Sequence, residues 1–81
     1  MMDSSGEGCE QTLDLRGLKC PLPALKARRA LHAMRPGATL VVVATDPMAA
    51  IDIPHMVNET GNLLLAQENA DSVLTFRIEK T

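Results

Sequence analysis

The chain has 81 residues, a formal net charge of −2 and a hydrophobic fraction of 46%, which together predict one small globular domain. Phe76 is the only aromatic residue, and this shortage of stacking side chains, with the negative charge, disfavours nucleic-acid binding. No apolar run approaches the roughly 18 residues that span a bilayer, and residues 1–8 lack an apolar signal segment, so we expect a cytoplasmic protein.

The amino-terminal part combines a polar tail with the first predicted strand. By composition, residues 1–10 are expected to be a disordered tail, and residues 11–81 a single domain. Residues 12–15 alternate polar and apolar side chains, which predicts a short strand with both leucines directed inward. Gly17 suits a positive φ in the turn that follows.

Residues 21–34 have the apolar periodicity of a helix. Apolar side chains recur there at spacings of 3, 4 and 3, which places them on one face. The members of this stripe are Ala24, Ala27, Leu31 and Met34. Pro36 disfavours the helical conformation in the residue before it, and Gly37 suits a turn, so we expect the helix to end there.

The middle of the chain predicts a buried strand and a second helix. Residues 39–45 are β-branched or apolar on both faces, as expected of an interior strand. Asp46 and Pro47 have the pattern of an N-cap and a first helical residue, and Gly61 suits the position just beyond the helix end. Pro54 lies within this segment and predicts a kink or a broken first turn.

The last third predicts two further strands. Residues 62–68 are compatible with helix or strand by composition, and the short length of the segment after a glycine favours strand. Residues 69–72 are typical turn residues, and residues 73–80 alternate as a clear strand. The order βαβαββ predicts an α+β fold: a two-layer α/β sandwich with a mixed four-stranded sheet and two helices on one face.

Cys20 lies immediately before the first predicted helix, within the segment Cys-Pro-Leu-Pro. Because proline is tolerated in a first helical turn, Pro21 is predicted as the first helical residue and Cys20 as the N-cap. The unpaired N–H groups of Leu22 and Ala24, together with Pro23 in the first turn, would then surround the sulfur at the positive end of the helix dipole and favour thiolate. The alternative to a reactive cysteine is a structural role, in which Cys20 is a small apolar residue that closes the strand-to-helix turn.

Few classes of cysteine chemistry suit this arrangement. His32 is twelve positions beyond Cys20, about 18 Å along a helix, and His55 could approach only through tertiary folding, so neither is predicted as a general base. The sequence has no CxxC pair and no zinc-ligand spacing, and no metal is expected. Cys9 in the tail leaves open a thiol redox or sensing module. A cysteine that receives sulfur as a persulfide and passes it on fits better, because a helix N-terminus would stabilise that anion.

The segment around Cys20 resembles a known family. Residues 13–23 are similar to the TusA/SirA-like sulfur carriers, whose signature is D-x-x-G-x-x-C-P-x-P. The signature positions are filled by Asp14, Gly17, Cys20, Pro21 and Pro23. Residues 46–54 resemble the segment that follows the second strand in this family, and the likeness extends over residues 13–80.

The resemblance implies a function as well as the same βαβαββ sandwich. Cys20 would accept sulfane sulfur from a cysteine desulfurase or a rhodanese-type donor. It would then relay the sulfur to an acceptor protein in tRNA 2-thiouridine synthesis, sulfur oxidation or cofactor assembly. Such a chain is a carrier rather than a self-sufficient enzyme, and its only prosthetic element is the persulfide sulfur. A non-catalytic regulatory interaction domain is a further alternative.

Other residues near the motif have a functional and a structural interpretation. Four basic residues near the helix start form either a collar that docks an acidic partner or simply a solvated helix face. They are Lys19, Lys26, Arg28 and Arg29. For Asp46 and Asp52 we favour structural roles, as a helix cap and a first-turn acid. Met48 and Met56 are interpreted as core or edge packing.

Overall fold

The computed structural model describes residues 10–81, and its elements follow the predicted order βαβαββ. Most of the predicted tail, residues 1–9 with Cys9, lies outside the described residues. Glu10, the last residue of that predicted tail, pairs with Thr39 at the start of the first strand. The elements are β1 (Glu10–Leu15), α1 (Leu22–His32), β2 (Thr39–Ala44), α2 (Ala49–Glu59), β3 (Leu63–Ala70) and β4 (Val73–Glu79).

The four strands form one mixed sheet in the order β1-β2-β4-β3. β1 and β2 are parallel, and β4 runs antiparallel to both β2 and β3. β2 is therefore an interior strand, as its two apolar faces predicted. On the face toward the helices its side chains are fully buried, whereas Val41 and Val43 on the opposite face are only partly buried.

The core lies between the helices and one face of the sheet, which confirms the two-layer sandwich. Phe76 of β4 is fully buried there among aliphatic side chains from both helices and three strands. The predicted stripe of α1 contributes Ala27 and Leu31 to this core, with Ala24 and Met34 at its margin. The single aromatic residue is thus placed where burial of its large apolar surface stabilises the fold most.

Both helices begin later than predicted. The N-cap of α1 is Pro21 and that of α2 is Met48, so Cys20 and Asp46 precede the helices and are not their N-caps. α1 ends at His32, two residues before the predicted end. The proline rule restricts which residues can enter a first turn, but it does not decide at which of the next residues the helical hydrogen bonds begin.

The end of α2 agrees with the prediction. Gly61 has a φ of +77°, and its N–H donates to the carbonyl of Asn58 at 3.2 Å. The N–H of Asn62 donates to the carbonyl of Val57 at 3.1 Å, which completes a Schellman motif.

A kink or a broken first turn is predicted at Pro54, and α2 is not interrupted there. The helix is continuous from Ala49 to Glu59, with Pro54 as its sixth residue. The carbonyl of Ala50 would normally accept a hydrogen bond from the N–H four residues later, which proline lacks. The side-chain amide of Gln67 on β3 donates to this carbonyl instead, at 3.4 Å.

The final hairpin is tighter than predicted. β3 extends to Ala70, so only Asp71 and Ser72 connect it to β4. Both residues have positive φ, 53° and 66°, as in the two-residue turns that match the twist of a hairpin. β3 also contains a register shift between Leu64 and Ala66, which leaves Leu65 as the bulged residue.

Candidate functional site

Cys20 is exposed in the loop between β1 and α1. Gly17 turns this loop with a φ of +86°, and its N–H donates to the hydroxyl of Thr45 at 2.9 Å. Because β1 and β2 are parallel, the segments that follow them meet at the same edge of the sheet. This edge brings the loop carrying Cys20 beside the loop that enters α2.

Asp46 connects these two loops through one carboxylate. One oxygen accepts a hydrogen bond from the backbone N–H of Cys20, and the other accepts from the N–H of Met48 at 3.1 Å. Asp46 is therefore not the N-cap predicted for it, but it has a structural role that links the loop before α2 to the cysteine backbone. Asp46 fixes the main chain of Cys20 relative to the start of α2.

Asp52 contacts the cysteine side chain itself. It lies in the first turn of α2, as predicted, and its Oδ2 accepts a hydrogen bond from the Cys20 thiol with an Sγ–Oδ2 distance of 2.8 Å. This hydrogen bond raises the pKa of the Cys20 thiol, as do desolvation and the negative charges of Asp52 and Asp46. In the described protein the thiol is therefore the favoured form.

The predicted stabilisation of a thiolate by the helix N-terminus is wrong for this structure. Cys20 lies one residue before the N-cap, and the N–H of Leu22 donates to the carbonyl of Lys19 at 2.8 Å, not to the sulfur. Asp52 acts on the sulfur at hydrogen-bonding range and Asp46 adds a further negative charge, and together with desolvation they determine the direction of the pKa shift.

A shallow groove of about 240 Å³ runs between α1 and α2 from Cys20. His55 lies in this groove, with its Nε2 at 3.3 Å from Glu59 Oε2, so tertiary folding does bring this histidine toward the cysteine region. His32 lines a different depression. The residues that line the Cys20 groove are Cys20, Pro21, Ala24, Leu25, Arg28, Asp52, His55, Met56 and Glu59.

The four basic residues predicted as a collar do not share one face. Arg28 lines the Cys20 groove, whereas Lys26 and Arg29 line another groove beside Leu13. Lys19 borders a third depression formed with the β2–α2 loop. All four side chains are exposed.

Exposed apolar side chains lie at the starts of both helices, after the loops that carry Cys20 and Asp46. Met56 is 5% exposed and packs in the core as predicted, but Met48 is 46% exposed, so the packing role predicted for it is wrong. Met48 immediately precedes α2. We call the four exposed apolar residues at the starts of α1 and α2 the apolar rim; they are Leu22, Leu25, Met48 and Ile51.

The sequence interpretation missed the contact between Asp52 and Cys20. The family-like segment at residues 46–54 contained a usable signal, because it holds two aspartates that reach the same edge of the sheet as the cysteine. Within residues 10–81, no group of three or more His, Cys, Asp and Glu side chains is arranged to hold a metal ion. None of the helices in that range is long and apolar enough to cross a membrane.

The fold and site define a small βαβαββ protein that presents an exposed cysteine at the edge shared by two parallel strands. The family model described as Sulfurtransferase TusA matches residues 11–80, and the chain belongs to this family. The resemblance found in the sequence is thereby confirmed.

Individual relatives agree with this assignment. The sulfur carrier protein TusA of Allochromatium vinosum is 40% identical over 72 residues, which cover 89% of this chain and 95% of that protein. A relative from Neisseria meningitidis serogroup A is 44% identical over 69 residues, covering 85% of this chain and 93% of the relative. The crystal structure of a SirA-like protein from Desulfitobacterium hafniense matches with a TM-score of 0.75 and 22% identity, over 85% of this chain and 95% of that one. This last likeness supports the fold.

Proposed function

We propose that this protein is a sulfur carrier that takes up sulfane sulfur on Cys20 as a persulfide and passes it to an acceptor protein. The observation that carries the proposal is the exposed Cys20 side chain at the edge of the sheet, in a chain of the TusA family. The catalytic role of Cys20 is part of the proposal, with Pro21, Leu22, Pro23 and Ala24 forming the first turn that presents it rather than stabilising a charge on its sulfur.

The loading step needs only the cysteine of this chain. The Cys20 sulfur attacks the terminal sulfur of a donor persulfide, a new S–S bond forms at Sγ, and the S–S bond of the donor breaks. The inner sulfur of the donor persulfide leaves as a thiolate and takes up the proton that Cys20 loses. Delivery is the same exchange in the opposite sense, with the acceptor thiol as nucleophile. No cofactor besides the carried sulfur enters either step.

The shape of the site favours proteins as donor and acceptor. The groove of about 240 Å³ beside Cys20 is smaller than the roughly 300–1,000 Å³ typical of pockets that enclose small-molecule ligands. The apolar rim instead offers exposed apolar area at the starts of the two helices that follow the Cys20 and Asp46 loops, which is typical of protein docking surfaces. Arg28 adds a positive charge in the groove beside Cys20.

The donor is proposed to be a cysteine desulfurase or a rhodanese-type protein. The acceptor would be a sulfur-relay protein that serves tRNA 2-thiouridine synthesis, sulfur oxidation or cofactor assembly in the cytoplasm. Lys19, Lys26 and Arg29, which lie outside the Cys20 groove, would contribute to docking at its margins. Direct nucleic-acid contact is not part of this function.

Intact-mass measurement tests the proposal. Wild-type protein, Cys20→Ser and Cys9→Ser are incubated with a cysteine desulfurase and cysteine, and then treated with a reductant. We expect a reducible gain of one sulfur atom in wild type and Cys9→Ser, and none in Cys20→Ser. Equal sulfur uptake by Cys20→Ser would contradict the proposal. A loss of two hydrogen atoms on oxidation that requires both cysteines, without sulfur uptake, would favour the redox module instead.

A further inference from the structure

The hydrogen bond between Cys20 and Asp52 exists only while the Cys20 sulfur is a thiol that carries a proton. The Cys20 thiol is the donor and Asp52 Oδ2 the acceptor, at 2.8 Å. Asp52 is partly buried in the first turn of α2, and Asp46 holds the cysteine backbone from the adjacent loop. The geometry is therefore fixed from two sides and does not depend on one mobile surface side chain.

Loading with sulfur removes this hydrogen bond. Once Sγ is bonded to a second sulfur it carries no proton, so Asp52 loses its donor. The added sulfur lies about 2.05 Å from Sγ, and in the persulfide anion it carries the negative charge. The carboxylates of Asp52 and Asp46 then face this anion across a few ångströms, where like charges repel. The site is thus built for the empty thiol rather than for the loaded anion.

Neither carboxylate is neutralised by a salt bridge within the described residues. Among residues 10–81 the salt bridges join Arg16 to Asp14, His55 to Glu59 and Arg77 to Glu10, and none includes Asp46 or Asp52. The charged and titratable groups around the sulfur are Asp46 from the β2–α2 loop, Arg28 from α1, and Asp52, His55 and Glu59 from α2.

We propose that Asp52 is a positioning residue that stabilises the empty thiol form of Cys20 relative to its loaded persulfide form, and so favours release of the carried sulfur. The inference rests on the proposed sulfur-carrier function. The raised pKa of the Cys20 thiol agrees with it, because the same carboxylate opposes a negative charge on the thiol sulfur.

The equilibrium that Asp52 sets can be written with a small thiol RSH: Cys20–SH and RSS⁻ give Cys20–SS⁻ and RSH. One S–S bond forms at Cys20 and one breaks in the donor, the thiol proton of Cys20 ends on the released thiol, and no net oxidation occurs. Asp52 lowers the free energy of the left side through the hydrogen bond and raises that of the right side through charge repulsion.

The test measures this equilibrium constant with glutathione persulfide and glutathione, by intact mass, in a Cys9→Ser background. The variants are Asp52→Asn, Asp52→Glu and, as a control that removes the same charge from the exposed part of β3, Glu68→Gln. We expect Asp52→Asn to shift the equilibrium toward the loaded form by about tenfold, which corresponds to one pKa unit. Asp52→Glu should restore most of the wild-type value, and Glu68→Gln should change it less than about twofold, because solvent and salt screen a distant exposed charge.

A second readout follows the thiol alone. The pH dependence of iodoacetamide alkylation at Cys20 should move to lower pH in Asp52→Asn and stay in place in Glu68→Gln. If wild type loads sulfur but Asp52→Asn leaves both readouts unchanged, this inference is overturned and the carrier function stands. If neither wild type nor any variant loads sulfur from glutathione persulfide or from a desulfurase, the carrier function fails and takes the inference with it.

Discussion

The side-chain amide of Gln67 donates a hydrogen bond to the carbonyl oxygen of Ala50, at 3.4 Å. This carbonyl is the one that Pro54 leaves without a helical partner, because position 54 has no N–H. A side chain of the edge strand β3 therefore completes the hydrogen bonding of α2. Through this contact a proline is accommodated within a continuous helix.

Removal of this amide should destabilise the protein only while Pro54 is present. We expect Gln67→Ala to lower the free energy of unfolding by about 0.5–1 kcal/mol, since it leaves a carbonyl without its partner. In a Pro54→Ala background the restored backbone N–H satisfies Ala50, and the same change should cost much less. Urea unfolding of the four proteins in a double-mutant cycle measures the difference, and strict additivity would contradict the interpretation.

The Asp14 carboxylate should titrate at unusually low pH. Arg16 bonds to it through its backbone N–H and through two side-chain nitrogens at 2.9 Å, and these hydrogen bonds lower the pKa of Asp14 to about 2. A group whose pKa is lower in the folded protein stabilises it above the unfolded value, and this contribution disappears as the pH falls toward 2.

Carboxyl ¹³C chemical shifts recorded against pH would report the Asp14 titration directly. In Arg16→Gln the side-chain bonds and the positive charge are lost, so the pKa of Asp14 should return toward the ordinary aspartate value of 3.8. The unfolding free energy of this variant should also vary less between pH 4 and pH 2 than that of wild type. An Asp14 titration that is identical in the two proteins would show that Arg16 does not hold the carboxylate in solution.

Ser72→Gly should stabilise the final hairpin. Ser72 has a φ of +66°, a conformation that costs a residue with a Cβ about 1 kcal/mol and costs glycine nothing comparable. We therefore expect a gain of about 0.5–1 kcal/mol in unfolding free energy, measured by urea or thermal denaturation. Ser72→Val should act in the opposite direction because a β-branched side chain crowds this conformation further. Loss of stability in Ser72→Gly would argue against the two-residue turn.

Ile51 of the apolar rim should contribute to recognition of a protein sulfur donor. Its side chain is 64% exposed beside Asp52, so Ile51→Ser should leave stability almost unchanged. If docking buries this side chain, the apparent KM for loading by a desulfurase should rise by about tenfold, which corresponds to 1.4 kcal/mol. Loading by glutathione persulfide should not change, since no protein surface is buried.

Leu63→Ser is the matched control for Ile51→Ser. Leu63 is exposed to a similar extent, 51%, but it begins β3 just beyond the C-terminal end of α2, whereas Ile51 lies in the first turn of α2 beside Asp52. Its substitution should leave the KM for both donors unchanged. Equal effects of the two substitutions on loading by the desulfurase would contradict a docking surface centred on the cysteine.

Local patterns in the sequence were sufficient for the order and type of the elements. Examples are the alternation around Phe76, the two-sided apolar run of β2 and the helix end at Gly61. Each of these patterns reflects contacts within a few residues or burial on a known face. These signals depend on periodicity and turn chemistry, which hold in any tertiary context. The Cys-Pro motif likewise identified the family from consecutive residues.

Other features depended on contacts that are distant in sequence. Asp52 reaches Cys20 across 32 positions, and Gln67 reaches Ala50 across 17. The first contact reverses the predicted direction of the thiol pKa shift, and the second supplies a donor to the carbonyl that Pro54 leaves without a helical partner. Neither partner can be found from the local pattern around the residue that it affects.

The sequence by itself determined which side chain carries the proposed chemistry and which elements surround it, because both follow from short-range patterns. The tertiary structure alone decided the electrostatic state of that side chain. It did so by packing α2 against α1, which places a first-turn carboxylate of one helix on the thiol that precedes the other. Hydrogen bonds and charges act over a few ångströms, and only the packed fold determines which groups lie within that distance.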